Sequence, residues 1–502
     1  MCSIFGVIAQ EAKDPNEIFD YTMAGANLLQ HRGHEWYGIA YSKGEFLRVD
    51  KRPGLIISLP DDRALTGKII EDQPRMIIFQ TRFSTQGGST KINAQPHYRR
   101  LRQGTVALGS NGDVYDYNQE RERLEKEGCS FISRNDSEIL LQHIILMAKD
   151  DLSNIPVGIQ DLMRNIPATF SSWLATEKQV YLFRDRFGNR PLYYMRIGGY
   201  FIFASEDCAL LAILEHRAEH GYKDGTVEIN QVLPGEIIRI DLNGEVEYLN
   251  GVEPSPCLVQ CAFEKVYFTR PDSCVFGSSS KRRLYYKVLV RQEEGDRYFI
   301  EILDREVEEI ASFRFRLGKQ LGIENPVTDA DCVISVPQSG DFATLGYCDQ
   351  TKTRFQIGLI RSAYVSRTFI SPGGGNRMRL ASLKYRALWG LFKQAQRIVV
   401  IDDSIVYATT MTRLVHRLTI AGAKEVHIRV SCPPITTPCR YGIDMSSKGP
   451  LPAATMSVEE IRKMLKATSL KYLSSEGLKQ VIGVNADNYC YACWDGNYPI
   501  HY

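Results

Sequence analysis

The second residue of the chain is a cysteine, in Met1-Cys2-Ser3-Ile4-Phe5-Gly6-Val7. Loss of Met1 alone would leave a first residue carrying both a thiol and a free α-amine, a nucleophile beside a base of pKa about 7.7–8.0. A thiol is weakly ionised at neutral pH, and here the base it needs is covalently supplied. A cysteine in this place also arises from nothing more than a translation start before a buried strand. A second chemical segment is Asp402-Asp403-Ser404-Ile405-Val406-Tyr407-Ala408-Thr409-Thr410. Two carboxylates there suit a ribose diol and magnesium, and a Thr-Thr pair opening a helix offers backbone N–H groups to a phosphate. The same residues also read as a turn and a helix cap. Near the other end, Cys490-Tyr491-Ala492-Cys493 is a Cys-x-x-Cys pair, open to zinc, redox chemistry or coincidence.

The elements that must position these residues follow from apolar periodicity. Residues 2 to about 245 hold many short strands, among them the runs 76–80, 180–184 and 200–204, each bounded by Gly, Asp or Asn. Helical patterns occur at about 17–30 and 136–149, the second with Asp136 as a competent cap and Leu140, Ile144 and Met147 on its apolar face. Polar motifs sit where elements end: His31-Arg32-Gly33, Thr81-Arg82-Phe83-Ser84-Thr85, Ser110-Asn111-Gly112-Asp113 and Asn135-Asp136-Ser137-Glu138. Singly, each has a plain structural reading, Arg82 as a surface ion-pair partner and Asn111-Gly112 as a hairpin turn. From about 262 to 435 strands alternate with helices: 330–337, 397–401 and 425–430 read as strands. Met411, Leu414, Val415, Leu418 and Ala421 share one helical face that stops at Gly422. This predicts a parallel sheet with ligands at the strand C-termini.

Composition narrows the class. With 502 residues, 44% hydrophobic and 24% charged, the chain reads as a soluble enzyme of two or three domains. A formal net charge of +2 gives no case for nucleic acid or an acidic membrane as partner. No apolar run approaches the ~20 residues that span a bilayer. The N-terminus lacks the layout of a secretory signal, so the cytoplasm is expected and the twelve cysteines read as reduced thiols or metal ligands.

Taken together with Cys2, the motifs of the first half resemble the class II glutamine amidotransferase domain, an N-terminal-nucleophile hydrolase. Asn93-Ala94-Gln95-Pro96, the segment Arg184 to Leu192, and Leu233-Pro234-Gly235-Glu236 fit as well. The resemblance implies a Cys2 thiolate that attacks the glutamine amide, with Asn111 and the Gly112 N–H donating to the oxyanion. It also implies that Arg82 grips the substrate carboxylate, Asp136 its ammonium, and that Thr85 and the Arg32-Gly33 loop belong to the glutamine site. Here His34-Glu35-Trp36-Tyr37 follows that loop, bulkier than the usual run, so a lid packed differently is expected.

The second half resembles the phosphoribosyltransferase signature, and Phe263-Glu264-Lys265-Val266-Tyr267-Phe268, Arg270-Pro271-Asp272-Ser273 and Tyr364 to Ile370 are similar to the glutamine phosphoribosylpyrophosphate amidotransferases. The resemblance implies a donor and magnesium site at Ser339, Lys384, Asp402, Asp403, Ser404, Thr409 and Thr410. It implies a four-iron four-sulfur cluster on Cys261, Cys439, Cys490 and Cys493, and a homo-oligomer, commonly a tetramer. The implied fold is α/β and α+β: a four-layer αββα sandwich over 2–245, a phosphoribosyltransferase parallel-sheet domain over 262–450, and a helical segment over 451–502 with the last two cluster cysteines. The implied activity is hydrolysis of glutamine and transfer of its ammonia to 5-phosphoribosyl 1-diphosphate, the first step of purine synthesis. Two departures stand out. Tyr407-Ala408 replaces the usual Arg-Gly, removing a cation and adding a Cβ, and Gln338 is neutral where relatives often carry an acid. They leave open a second reading, a glutaminase-competent paralogue with an altered donor site that uses another ammonia acceptor or acts as a sensor.

Overall fold

Alternate residues of the first strand, Ser3–Ala9, serve different layers. Ile4 and Ile8 face a core shared with Trp173, Leu182 and Ile238 of a second sheet. Phe5, Val7 and Ala9 face helices Pro15–Leu28 and Cys208–Glu219 through Ile18, Tyr21, Leu210 and Ile213. A strand covered on both sides needs apolar residues on both faces, which is why all seven are buried. On the far side of the second sheet, Leu108, Phe170 and Leu174 pack on helices Ser137–Met147 and Ile155–Asn165. The result is the four-layer αββα sandwich. The computed structural model describes residues 2–11, 13–83, 87–276, 283–293, 297–304, 307–362, 385–445 and 451–500.

The nine-stranded first sheet places Ser3–Ala9 between Tyr200–Ala204 and Met76–Arg82, with Trp36–Ser42 beyond the latter, all antiparallel. The six-stranded second sheet carries Gly104–Val114 between His97–Leu101 and Ala168–Ala175. Leu284–Glu293 and Arg297–Ile302, which the sequence assigns to the second domain, extend the edge of the first sheet through Gly225–Gln231.

Among the described residues the parallel sheet has four strands, Cys332–Ser335, Arg397–Asp402, Glu425–Val430 and Ser469–Tyr472. Its last strand lies in the segment expected to be helical, between helices Val458–Leu465 and Ser475–Ile482. Helix Thr409–Ala421 buries the five residues expected on its apolar face, and Gly422 ends it at φ 120°. Two short pairings complete the fold: Leu359–Arg361 with Tyr385–Ala387, and Gln260–Cys261 parallel to Tyr489–Cys490. Among the described residues no helix is long and apolar enough to cross a membrane.

Candidate active site

Register brings the first centre together. Ser3 pairs with Thr81, so the residue before the strand stands beside the end of Met76–Arg82. Cys2 is buried there, and its backbone nitrogen donates to Asn111 Oδ1 at 3.3 Å. With Oδ1 turned to that backbone N–H, Asn111 Nδ2 is left buried without a hydrogen-bond partner. Asn111-Gly112 is not a hairpin turn. It lies within strand Gly104–Val114, where a Cβ on Gly112 would come 1.9 Å from the Thr169 carbonyl oxygen. Only glycine lets the two strands meet at that point.

Arg82 is buried and lies in the field of the Cys2 thiol and the carboxylates of Asp136 and Glu35. Burial lowers the affinity of its guanidinium for the proton, and those three groups oppose the shift. Asp136 occupies the N-cap position of helix Ser137–Met147 but makes no capping bond. Burial raises its pKa, while Arg82 and a hydrogen bond with Asp113 pull it down. Burial and then the Asp136 charge push the Asp113 carboxyl far up. Asp113 also keeps a buried Oδ1 with no partner. Two residues past Asn111 on one strand, it shares Asn111's face. That i, i+2 spacing was the available sign of its place in the site.

Gln95 is a second residue that the motifs named without a role. Its amide nitrogen donates to Cys2 Sγ at 3.7 Å and its oxygen accepts from the Ser110 N–H at 2.6 Å. Gly33 lies flat on Arg82, since a Cβ would approach that residue's backbone to 2.6–2.8 Å. His34 stacks edge-on with Phe83 at 6.1 Å. Arg32, expected with glutamine, has its guanidinium turned away into a buried cluster, bonded to Glu206 and to Glu264 at 2.8 and 3.2 Å. Thr85 lies outside the described residues.

The second centre is a cavity of about 170 Å³ at the strand ends of the parallel sheet. Ser339, Asp402, Asp403, Ser404, Thr409 and Thr410, all expected at the donor site, line it together. Lys384 lies outside the described residues. Asp403 accepts from the Ser404 hydroxyl at 2.6 Å. Ala408, at the N-cap of Thr409–Ala421, adopts φ 58°, ψ −13°, the left-handed conformation that glycine takes freely. The opposite wall is aromatic, formed by Phe263, Tyr267 and Phe268 with Phe83, which follows Arg82 directly in the chain. The cavity therefore runs from the 402–410 loop to the edge of the first centre. The hard carboxylate oxygens of Asp402 and Asp403 suit magnesium as a donor set.

Four cysteines meet at a third place. Cys261 and Cys490 are register partners in the short parallel pairing. Cys439 accepts from the Tyr441 N–H at 3.2 Å, and the Cys493 carbonyl accepts from Thr436 and Thr437. Burial pushes the Cys261 thiol up to about 11 and raises the other three, and Cys493 feels the charges of Cys261, Cys439 and Cys490. Among the described residues no three His, Cys, Asp or Glu side chains are arranged to hold a metal ion. A cluster is wider than an ion, and three buried thiols with the half-buried Cys439, on three chain segments, fit one by donor type.

Residues 80–212 match the glutamine amidotransferase domain family. An amidophosphoribosyltransferase of Vigna aconitifolia, named as chloroplastic, is 36% identical over 481 residues, covering 94% of this chain and 87% of its own. One from Methanothermobacter thermautotrophicus is 34% identical, covering 99% and 94%. Among solved structures, the B. subtilis glutamine phosphoribosylpyrophosphate amidotransferase with ADP and GMP superimposes with a TM-score of 0.79 at 31% identity, covering 99% of this chain and 97% of its own. A structure described as the allosteric regulatory enzyme of purine biosynthesis gives 0.80 at 32% identity, covering 99% and 96%.

Proposed function

The chain belongs to the amidophosphoribosyltransferase family, and from that premise we propose how its residues divide the reaction. The enzyme hydrolyses glutamine and transfers the ammonia to 5-phosphoribosyl 1-diphosphate, giving 5-phosphoribosylamine, glutamate and pyrophosphate, the first step of purine synthesis. Cys2, with its α-amine free, is the nucleophile, and the amine takes the thiol proton. Arg82 binds the substrate carboxylate as a planar fork, and Asp136 with Asp113 binds its ammonium. Asn111 Nδ2 and the Gly112 N–H donate to the oxyanion of the tetrahedral intermediate, each contributing about 3–4 kcal/mol to the barrier reduction. Collapse of that intermediate releases ammonia and leaves a thioester on Cys2, which water hydrolyses to glutamate.

Ammonia then moves along the aromatic wall of the cavity and attacks C1 of the donor, expelling pyrophosphate. Ammonia is already a nucleophile, so this centre works by positioning and charge stabilisation. Asp402 and Asp403 hold the ribose hydroxyls and magnesium, and Thr409 and Thr410 present the N-terminus of their helix to the 5-phosphate. The chemistry magnesium supplies is neutralisation of the departing diphosphate. Cys261, Cys439, Cys490 and Cys493 hold a four-iron four-sulfur cluster that ties the C-terminal segment to both domains. A cytoplasmic homo-oligomer, a tetramer, belongs to the same reading.

One observation carries the reading of the first centre: the α-nitrogen of Cys2 bonded to Asn111, whose amide N–H₂ is buried and unpaired. The test is pyrophosphate release with glutamine and, separately, with ammonium. Activity in both is expected. Glutaminase without pyrophosphate release in either assay would sink the transfer.

A further inference from the structure

Gln95 is bonded at both ends of its amide, and the way it is held fixes what it presents to the nucleophile. His97 pairs with Leu108, so the same antiparallel register sets Gln95 opposite Ser110, two residues beyond the end of strand His97–Leu101. Pro96 carries no N–H, and the ladder stops before it. The Gln95 side chain takes over there: its Oε1 accepts from the Ser110 N–H at 2.6 Å. An oxygen committed to an N–H leaves the amide one orientation, which turns Nε2 to Cys2 Sγ at 3.7 Å. The backbone behind it is clamped as well, since a Cβ on Gly38 would come 2.0 Å from the Gln95 carbonyl oxygen. Both Gln95 and Cys2 are buried. The fold thus builds a fixed donor aimed at the sulfur.

Resting on the glutaminase reading above, we propose that Gln95 is a further catalytic residue of the first centre, whose amide N–H stabilises the Cys2 thiolate. The α-amine takes the proton from Sγ, and the sulfur left behind carries its charge away from water. A hydrogen bond to that sulfur is weak while it is a thiol and charge-assisted once it is a thiolate, so it favours ionisation. The thiolate pair then forms the C–S bond of the thioester, and the sulfur loses its charge. Hydrolysis breaks the same bond and returns the pair to sulfur, where Gln95 meets it again. One donor therefore serves the sulfur both as nucleophile and as leaving group. Arg82 also sets its charge in the field of Cys2. Bound glutamine neutralises that charge with its carboxylate, whereas the Gln95 contact stays with the sulfur.

The test follows alkylation of Cys2 by iodoacetamide in the full chain freed of Met1, read on the N-terminal peptide by mass spectrometry, beside glutaminase kinetics. Gln95→Glu keeps an oxygen for the Ser110 N–H but turns an acceptor towards the sulfur. Its alkylation at pH 7 should slow about ten- to a hundredfold, what one hydrogen bond to a charged group contributes, and glutaminase kcat should fall with it. KM for glutamine should change less, because the lost contact is with sulfur. Gln95→Leu removes the donor without adding charge and should move the alkylation pH profile about one unit or more higher. Circular dichroism reports whether each variant is folded. Wild-type alkylation in folded Gln95→Glu overturns the proposal, since a residue that only bonded Ser110 would be replaced there without loss. If Gln95→Glu does not fold, Gln95→Leu decides alone, and an unmoved pH profile overturns the proposal whatever the rate. Wild-type protein that alkylates at Cys2 yet turns over no glutamine would instead overturn the glutaminase reading, and this inference with it.

Discussion

At the scale of single residues, the first centre depends on donors that have nothing else to do. Asn111 Nδ2 is buried and unpaired, so in the proposed mechanism it meets the oxyanion without giving up another bond. Asn111→Ala should therefore lower kcat for glutamine about 10²–10³-fold, with little change in KM, and leave ammonium-dependent pyrophosphate release intact. The Asp113–Asp136 pair makes a different prediction. Burial, then the neighbouring carboxylate, raises Asp113 above its unfolded value. The folded state thus binds a proton that the unfolded chain has released, and stability falls as pH rises from about 4 through the raised value. Asp113→Asn removes that penalty. Its urea midpoint should match wild type near pH 4 and exceed it increasingly towards neutrality. A gap that does not widen with pH would show that the pair does not share a proton.

At the scale of elements, the turn into helix Thr409–Ala421 stores strain at one position. A left-handed Ala408 costs about 1 kcal/mol or more that glycine does not incur. Ala408→Gly should stabilise the protein by about 0.5–1 kcal/mol in urea unfolding, despite the added freedom of the unfolded chain. This departure was legible only through the resemblance, whose usual Arg-Gly marks position 408 as one where glycine is expected. The helices at 15–28, 137–147 and 409–421 and the strands at 76–82, 179–184 and 200–204 were legible too, since each is long or apolar enough for periodicity to mark it. Asn111-Gly112 misled for a physical reason. A glycine that lets strands touch looks the same in one dimension as a glycine that turns the chain. Strand patterns also do not say which sheet they join. Residues 284–302 and 469–472 alternate as strands should, but pairing with Gly225–Gln231 or Glu425–Val430 is a long-range choice.

At the scale of the whole molecule, the hidden feature was the partner of Arg32. Sequence places His31-Arg32-Gly33 in the glutamine loop, but not Glu206 from one helix start and Glu264 from the junction between domains. The fold gathers these with Arg190, which bonds Glu264 at 3.0 Å, into a cluster of two arginines and two glutamates buried from solvent, with His31 bonded to Glu206 at its edge. Burial alone would raise both carboxyls, yet the arginines hold them below the ordinary range. Their contribution is therefore present above about pH 4.3 and lost as pH falls through the lowered values. Glu264 adjoins Phe263 in the wall of the cavity at the parallel-sheet strand ends, while Arg32 precedes Gly33, which lies flat on Arg82, so the cluster touches both centres. Removing one carboxylate leaves an uncompensated guanidinium in the interior, which costs about 3–5 kcal/mol. Glu264→Gln should lose that much stability at pH 7, and the deficit should shrink in acid, where the wild-type cluster fails as well. If the cluster also keeps the glutamine loop registered on the cavity, the folded variant should release more glutamate than pyrophosphate, while ammonium still supports transfer. Equal release of the two products, with the stability loss in place, would confine the cluster to a structural role.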